Sequence, residues 1–336
     1  MRAIAHQLPF AALGIALLAG LFAPLATGAA ALGFWLEVLL GGLMAGVLYA
    51  LVALGFVLIY KASGVFNFAQ GSMVLFAALS VARLAERVPM WLALVLAVAI
   101  MVALAFIVER LVLRPLVNQE PVALLMATLG VTYFLDGFGQ SVWGSDIYEI
   151  DLGIPREPMM VLGGAIDGGV LVNRDDIAAA IVAVLLVGAL ALFFQKTATG
   201  RALRAVADDH QAAQSIGIPL NRIWVIVWAV AGIVAIVGGV IWGGKLGVQF
   251  SISQVALKAL PVVILGGFES IPGAIIGGLI IGVGEKMAEV FLAPPLIKLF
   301  DLAGGGIENW FAYVLALLFL LVRPQGLFGE RHIDRV

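Results

Sequence analysis

Thr199-Gly-Arg-Ala-Leu-Arg-Ala-Val-Ala-Asp-Asp-His-Gln-Ala-Ala-Gln-Ser-Ile-Gly-Ile-Pro-Leu220 is a polar, charged stretch between two long apolar runs. We call residues 199–220 the polar island. The run before it extends from Ile177 to Phe194, the run after it from Ile223 to Gly244, and neither contains a charged residue. Each run is long enough to cross a lipid bilayer as a helix, so the sequence predicts a short water-facing segment between two membrane spans.

The composition of the whole chain excludes an ordinary water-soluble protein. Of its 336 residues, 63% are hydrophobic and 12% are charged, and the mean hydropathy is +1.12. So few charges cannot cover the surface of a soluble domain. Lipid offers no hydrogen bonds to the backbone, and the apolar runs are continuous rather than alternating, so we expect transmembrane helices rather than a barrel.

The sequence also lacks the signatures of several other protein classes. A net charge of −2 does not provide the basic surface of a nucleic-acid binder, so no nucleic-acid partner is expected. The absence of cysteine excludes disulfides and thiolate metal sites. No phosphate-binding P-loop and no Gly-x-Ser-x-Gly motif occur, and the three histidines lie outside the predicted spans. The sequence therefore predicts no metal site and no catalytic residue.

The apolar runs predict an all-α, polytopic integral membrane bundle of about ten spans. The predicted spans are 10–31, 38–60, 62–82, 89–108, 122–142, 177–194, 223–244, 253–268, 271–292 and 302–322. Residues 1–35 hold the first of these, which we expect to be retained as a span. The alternative is a signal peptide, because small residues at its end resemble a cleavage region.

The distribution of Lys and Arg predicts that both termini are cytoplasmic. With the N-terminus inside and the spans alternating, eleven Lys and Arg residues fall in cytoplasmic connections and six in external ones. The polar island then faces the cytoplasm. The acidic, Gly- and Pro-rich connection over residues 144–176 faces the outside.

One predicted span begins with glycines and two side-chain amides. The segment Gly64-Val-Phe-Asn-Phe-Ala-Gln-Gly71 places Asn67 and Gln70 near the start of a span. Its two glycines lower helix propensity by roughly 1 kcal/mol each relative to alanine. A broken helix end can direct polar groups at a solute, and the alternative is an ordinary cap at the membrane interface.

A second glycine-rich segment predicts a turn followed by a new helix. In Gly266-Gly-Phe-Glu-Ser-Ile-Pro-Gly273, Ser270 can cap the following helix and Pro272 suits its first turn. The segment is therefore either a second re-entrant break or a tight hairpin between spans.

Several ionisable residues fall within the predicted spans. Lys258 and Asp136 would each cost about 2.5–3.5 kcal/mol at the bilayer centre, so they should face the interior of the bundle or reach the interface. Glu285 and Lys286 are adjacent, so on a helix their side chains point about 100° apart and make poor partners.

Within the polar island, an alanine-rich pattern predicts an amphipathic helix from Gly200 to Ser215. Gly217 provides a stop signal and Pro219 prevents continuation. Leu203, Val206 and Ile216 form its predicted apolar stripe.

The charges of the polar island favour a protein partner over the membrane surface. Arg201 and Arg204 are balanced by Asp208 and Asp209, whereas helices that lie on headgroups usually carry excess basic residues. A helix of this kind suits docking into a partner's groove.

Four stretches together resemble the membrane permease subunit of branched-chain amino acid ABC importers, the H-type member of the pair. The similarity runs from about residue 38 to 328, although Glu269 stands where the family usually has glycine. The stretches are Gly64 to Gly71, Glu109-Arg-Leu-Val-Leu-Arg-Pro-Leu116, Gly200 to Ile218, and Lys258 to Ala274.

The resemblance implies a single permease domain over residues 1–336 in a bacterial inner membrane. It implies a pore made with a sister permease subunit or a second copy of the chain. Two cytoplasmic ATPase subunits would bind ATP, so the chain itself needs no cofactor, and an external solute-binding protein would deliver branched-chain amino acids. Related permeases carry urea or short amides, which is the alternative cargo.

On this resemblance the polar island becomes a cytoplasmic coupling helix over 199–220. We predict that its contact with the ATPase depends on Gly200, Arg201, Arg204, Asp208, Asp209, Ala213 and Gly217. We predict a cargo path that passes Asn67, Gln70, Lys258 and Ser270.

Two other classes remain open from the residues alone. A secondary transporter would couple import to an ion gradient through Asp136, Lys258 and Glu285. A channel would pass solute passively, at rates far above those of ATP turnover.

Overall fold

Helices make up most of the chain, as the continuous apolar runs predicted. The computed structural model describes residues 32–64, 66–116, 119–155, 157–161, 163, 169–208, 210–301 and 306–329. The predicted span over 10–31 and the residue Asp209 lie outside the described residues.

The described elements alternate long apolar helices with short helical pieces and one small hairpin. The helices are α1 (Leu32–Ser63), α2 (Gln70–Ala85), α3 (Met90–Val108), α4 (Pro121–Trp143), α5 (Arg174–Lys196), α6 (Ala198–Asp208), α7 (His210–Ser215), α8 (Leu220–Leu246), α9 (Ser251–Leu257), α10 (Ala259–Gly266), α11 (Ile271–Met287), α12 (Ala293–Phe300) and α13 (Ile307–Val322). Wider π-helical turns extend α3 over Glu109–Leu113 and α11 over Ala288–Leu292, and a 3-10 turn follows at Arg114–Leu116.

The helices confirm a multi-pass, all-α membrane protein. Among the described residues, five helices are long and apolar enough to cross a bilayer, namely α1, α3 with its extension, α4, α5 and α8. A sixth is reached if Ser251–Gly266 and Ile271–Phe300 form one bent span, and α2 and residues 310–322 are shorter apolar helices. The count of about ten spans stays a prediction.

The chain divides into two compact units. The first unit collects the described residues up to Ala50, from Ile154 to Val182 and from Leu260 onward, and the second collects Leu51–Gly153 and Ala183–Ala259. Both units draw on separated parts of the sequence, so neither is a continuous domain. The single domain over residues 1–336 stays a prediction.

Helix α2 is the centre of the second unit. Its residues from Gln70 to Ala82 are all buried, and it packs against α3, α4, α8 and α9. Helix α8 approaches it closely, because a Cβ added at Gly239 would lie 2.6 Å from the carbonyl oxygen of Val74. The span of α8 is 72% buried and that of α4 is 28% buried, so α8 is an interior helix and α4 leaves most of its surface uncovered by this chain.

In the first unit, glycines let α1 and α11 meet backbone to backbone. A Cβ added at Gly46 would lie 2.7 Å from the carbonyl oxygen of Gly278, and one added at Gly42 would lie 2.7 Å from the Cα of Val283. Small residues permit such contacts where lipid provides no hydrophobic drive for helices to associate. These span glycines therefore allow close helix packing in the first unit.

The connection over 144–176 contains a hairpin that the helical pattern did not predict. Strands β1 (Pro158–Val161) and β2 (Val170–Asn173) pair antiparallel, with Pro158 opposite Asn173. In the second unit, Tyr148 forms an isolated antiparallel bridge with Val248. The external position of this connection stays a prediction.

Candidate functional site

The described residues of the polar island are helical in α6 (Ala198–Asp208) and α7 (His210–Ser215), which together cover the described part of the helix predicted over 200–215. The apolar stripe of the polar island is divided. Leu203 and Val206 are 1% and 0% exposed, and α6 and α7 pack against α8, so these side chains face the chain's own interior. Ile216 is 75% exposed. Leu203 and Val206 of the predicted stripe therefore pack inside the chain, whereas Ile216 remains on its surface.

The charged residues of the polar island face outward. Arg201, Arg204 and Asp208 are exposed along α6. The outward face that the island offers a partner is therefore polar, with Ile216 as its large apolar side chain. Asp209 lies outside the described residues.

The start of α6 is fixed by a side-chain cap. Thr197 precedes the helix, and its Oγ1 accepts a hydrogen bond from the backbone N–H of Gly200 at 3.2 Å. The same hydroxyl donates to the carbonyl oxygen of Phe193 at 2.6 Å. Thr197 thus joins the first turn of α6 to the last turn of α5, as an N-cap residue does.

Gly200 lies directly against the end of α5. A Cβ added at Gly200 would overlap the carbonyl oxygen and carbonyl carbon of Phe194. Glycine is therefore required by backbone contact at this position, and not by a positive φ. This reason could not be inferred from the helix-forming pattern around it.

The two arginines of α6 tie it to the carbonyl end of α5. The Nη1 of Arg204 donates to the carbonyl oxygen of Phe194 at 2.8 Å, and the Nη1 of Arg201 donates to that of Lys196 at 3.4 Å. Basic side chains stabilise a helix C-terminus because the last carbonyls have no partner within the helix. We call Thr197, Gly200, Arg201 and Arg204, with the end of α5, the α5–α6 joint.

The end of α7 is closed by a glycine turn, as the sequence predicted. Gly217 has a φ of +87°. Its N–H donates to the carbonyl oxygen of Gln214 at 3.0 Å, and the N–H of Ile218 donates to that of Ala213 at 3.0 Å. This pair of bonds is a Schellman motif, so Ala213 and Gly217 set the angle at which the polar island enters α8.

The first predicted break is confirmed between α1 and α2. Helix α1 ends at Ser63, Gly64 has a φ of +69°, and α2 begins at Gln70. Asn67 is fully buried, and its Oδ1 accepts from the backbone N–H of Ala69 at 3.0 Å. Asn67 therefore holds the backbone of the break. We call residues 64–69 the first break.

Gln70 is also fully buried and reaches α8. Its Nε2 donates to the carbonyl oxygen of Ala231 at 3.4 Å. Gly55 leaves room for the amide, because a Cβ there would lie 2.5 Å from that Nε2. The Oε1 of Gln70 has no hydrogen-bond partner among the residues that the structure describes.

Sequence reasoning missed Trp224, which contacts the other side of the first break. Its indole Nε1 donates to the carbonyl oxygen of Ala62 at 2.9 Å, and its side chain is 3% exposed. An indole N–H near the start of a buried span needs an acceptor, and this was the available signal. The acceptor is 162 positions away in the chain, so the sequence could not identify it.

The predicted turn followed by a new helix is confirmed between α10 and α11. Gly267 has a φ of +105°, and Ser270 accepts a hydrogen bond from the N–H of Gly273 at 3.0 Å. Proline occupies the first turn of α11, as predicted. We call residues 267–270 the second break.

The C-terminal segment runs along the second break. The N–H of Leu327 donates to the carbonyl oxygen of Leu265 at 2.8 Å, and the N–H of Phe328 donates to that of Gly266 at 3.1 Å. Gly326, with a φ of +77°, would place an added Cβ 2.8 Å from the backbone nitrogen of Gly267. This segment supplies partners for the carbonyls at the end of α10.

One carboxylate found in the spans accepts a hydrogen bond from a tyrosine, because Tyr49 donates to the Oε1 of Glu285 at 3.3 Å. The Oδ1 of Asp136 is buried without a hydrogen-bond partner among the described residues. The ammonium of Lys286 lies 2.8 Å from Glu289, which confirms that its sequence neighbour is not its ion-pair partner.

The four predicted path residues are distributed over both units. Asn67 and Gln70 lie together at the first break, and half-buried Lys258 lies between α9 and α10 in the same unit. Ser270 belongs to the other unit. Within the described residues, no group of three or more His, Asp or Glu side chains could hold a metal ion.

Comparison with known proteins places this arrangement among transport permeases. The family described as "Branched-chain amino acid transport system / permease component" matches residues 38–323. A high-affinity branched-chain amino acid transport system permease protein, BraD of Pseudomonas aeruginosa, is 31% identical, covering 90% of this chain and 98% of that protein. LivH of Escherichia coli, which bears the same description, is 28% identical, covering 90% of this chain and 98% of that protein. A probable branched-chain amino acid transport permease, LivH of Methanocaldococcus jannaschii, is 29% identical, covering 87% of this chain and 92% of that protein.

Proposed function

Because the chain belongs to the branched-chain amino acid transport system permease family, we propose that it carries leucine, isoleucine and valine inward across the bacterial inner membrane as a subunit of an ATP-driven importer. It is a multi-pass membrane protein, and its family is one of transport permeases rather than enzymes. The cargo is the one for which BraD and LivH are named, and the chain matches both proteins over almost their whole length. We propose that ATP is bound by partner subunits and that no cofactor is held by this chain.

The observation that carries the proposal is the polar island, held at both ends between two long apolar helices. Thr197 and Gly200 fix its start to α5, and Gly217 fixes its end to α8. A segment that is rigidly joined to two spans transmits a displacement to both of them. An importer driven by a soluble ATPase requires such an arrangement.

The partners are those of an ATP-driven importer of this family. The chain has no P-loop of its own, and we assign ATP binding to two cytoplasmic ATPase subunits. A sister permease subunit or a second copy completes the pore, and an external solute-binding protein delivers the cargo. Both termini and the polar island lie in the cytoplasm, and the 144–176 connection faces the binding protein.

The contact with the ATPase is made by the outward face of the polar island. Arg201, Arg204 and Asp208 are exposed there, and Asp209 follows them in the sequence. Gly200, Ala213 and Gly217 act on this contact indirectly, because they set the position and angle of the two short helices. Arg201 and Arg204 have a second role, since each also bonds a carbonyl of α5.

The cargo route passes the two breaks. Broken helices within a membrane place polar backbone groups at a solute without exposing them to lipid. Asn67 and Gln70 shape the first break, Lys258 separates α9 from α10, and Ser270 caps the helix after the second break.

ATP binding shifts the permease only if the two states contact the ATPase differently. We expect closure of the ATPase pair to move the polar island and, through its two fixed ends, α5 and α8. The cargo route then closes toward the outside and opens toward the inside.

The decisive experiment is reconstitution of the purified complex. The chain should co-purify with an ATPase. Vesicles should transport radiolabelled leucine only when ATP is present on the side of the membrane that carries the ATPase subunits. Uptake should persist when proton and sodium gradients are collapsed. Uptake of urea without leucine would contradict the cargo, and gradient-driven uptake without an ATPase would contradict the class.

A charge reversal tests the docking face. Asp208→Arg should reduce the ATPase that co-purifies, because it changes the exposed face without touching the α5–α6 joint. Arg87→Glu is the matched control, since Arg87 is also exposed and lies on a connection predicted to face outside. Equal loss of ATPase in both variants would contradict the placement of the docking face.

A further inference from the structure

We infer that α8 transmits the movement of the polar island to the first break, and that Trp224 is the positioning residue through which it does so. The inference rests on the proposed function, because it assumes that the polar island receives the movement. It adds a route inside the membrane that no motif in the sequence indicates.

Two hydrogen bonds join α8 to the two sides of the first break. Trp224 donates to the carbonyl of Ala62, at the end of α1, over 2.9 Å. Gln70, at the start of α2, donates to the carbonyl of Ala231 over 3.4 Å. The first break at residues 64–69 lies between these two anchor points in the sequence. A shift of α8 therefore acts on both of its ends.

The two anchor points lie on one face of α8. Trp224 and Ala231 are seven residues apart, which on an α-helix is about 20° short of two full turns and about 10 Å along the axis. Trp224 also lies in the second turn of α8, close behind the Gly217 turn that closes the polar island. The face that carries both bonds thus begins where the polar island ends.

The burial of these groups makes the bonds costly to break. Trp224, Gln70 and Ala231 are 3%, 0% and 0% exposed. No water is available in the interior of a membrane protein to replace a lost partner, so donor and acceptor are expected to move together. The carbonyl of Ala62 is in the last turn of α1.

A packing role and a positioning role for Trp224 predict different results. If Trp224 only filled space, replacing its indole by another aromatic ring would affect stability alone. If it transmits movement, loss of the N–H should leave ATP hydrolysis in place and reduce the cargo moved for each ATP. Demonstrated coupling of this kind, rather than mere position between two sites, is the appropriate test of a route.

The test uses Trp224→Phe in the whole complex, reconstituted with its ATPase and its other permease subunit. Leucine uptake and ATP hydrolysis are measured on the same vesicles. We expect the leucine moved per ATP to fall roughly fivefold or more, which is the low end of the coupling between linked sites. Trp228→Phe is the matched control, because Trp228 lies one turn further along α8 and is 2% exposed.

A second variant reaches the same route from the other anchor point. Gln70→Leu removes the amide that binds Ala231, and it should also lower the leucine moved per ATP. In the double variant the two losses should not multiply, because residues of one connection are not independent. Unchanged coupling in both single variants, or equal losses in Trp224→Phe and Trp228→Phe, would overturn the inference. A wild-type complex without an ATPase would instead overturn the proposed function.

Discussion

Gly200 and Phe194 meet backbone to backbone, because a Cβ added at Gly200 would overlap the carbonyl group of Phe194. The contact joins the first turn of α6 to the last turns of α5. The same carbonyl oxygen accepts a hydrogen bond from Arg204 at 2.8 Å. One peptide group of α5 is thus held by the polar island through both a close approach and a charged donor.

The first prediction is that Gly200→Ala opens the α5–α6 joint. The added methyl group has no space, so α6 must move away from Phe194. We expect leucine uptake by the complex to fall by at least tenfold, while the chain still accumulates in the membrane. Uptake in vesicles and the amount of chain in membranes are the measurements.

Gly188→Ala is the control for this prediction. Gly188 lies within α5, and a Cβ there would meet nothing within 4 Å. Since alanine is favoured over glycine in a helix by roughly 1 kcal/mol, this variant should keep or improve stability and uptake. Equal impairment of both variants would mean that the joint has no special role.

The second prediction concerns the turn that ends the polar island. Gly217 has a φ of +87°, so Gly217→Val forces a β-branched residue into the left-handed region. Such strain costs about 1–2 kcal/mol or more, and we expect the angle between α7 and α8 to change. Uptake should fall while the amount of co-purified ATPase changes less.

Gly217→Asn distinguishes backbone strain from loss of space. Asparagine tolerates positive φ better than other residues with a side chain, and a Cβ at position 217 would meet nothing within 4 Å. Uptake should therefore be largely restored in Gly217→Asn. If both variants fail equally, the conformation of Gly217 is not the cause.

What the sequence could predict was set by how local the responsible contacts are. The cap at Ser270, the stop at Gly217 and the break at Gly64 depend on residues within a few positions, and all three are found. The contact of Trp224 with Ala62 spans 162 positions, and no periodicity indicates it. The burial of Leu203 followed from α8 packing against the island, which an amphipathic pattern alone cannot distinguish from docking to a partner.

The third prediction tests the close packing of α1 on α11. Gly46→Ala would place a methyl group 2.7 Å from the carbonyl oxygen of Gly278. The methyl group is attached directly to the backbone of α1 and the carbonyl oxygen belongs to the backbone of α11, so neither can rotate away. We therefore expect destabilisation of about 1–3 kcal/mol, as for an overpacked core. The measurement is the thermal unfolding midpoint in detergent. Gly41→Ala is the control in the same helix, because a Cβ there meets nothing within 4 Å, and an equal fall in its midpoint would contradict the prediction.

The fourth prediction is that the C-terminal segment protects the end of α10. Leu327→Pro removes the N–H that donates to the carbonyl of Leu265 at 2.8 Å. A buried carbonyl that loses its partner is destabilised by about 1–3 kcal/mol, so the second break should open more often. Hydrogen–deuterium exchange should therefore become faster at the backbone amides of residues 267–274 in the variant.

Leu327→Ala separates the backbone bond from the side chain. It keeps the N–H at position 327 and removes most of the half-buried side chain. If the hydrogen bond holds the second break, exchange at residues 267–274 in this variant should stay close to that of the unmodified chain. If side-chain packing is what matters, Leu327→Ala should match the proline variant, and that result would remove the backbone bond from the explanation. Because residue 327 lies more than fifty positions from the second break, faster exchange there in the proline variant alone would establish a tertiary contact and not a local change in helix propensity.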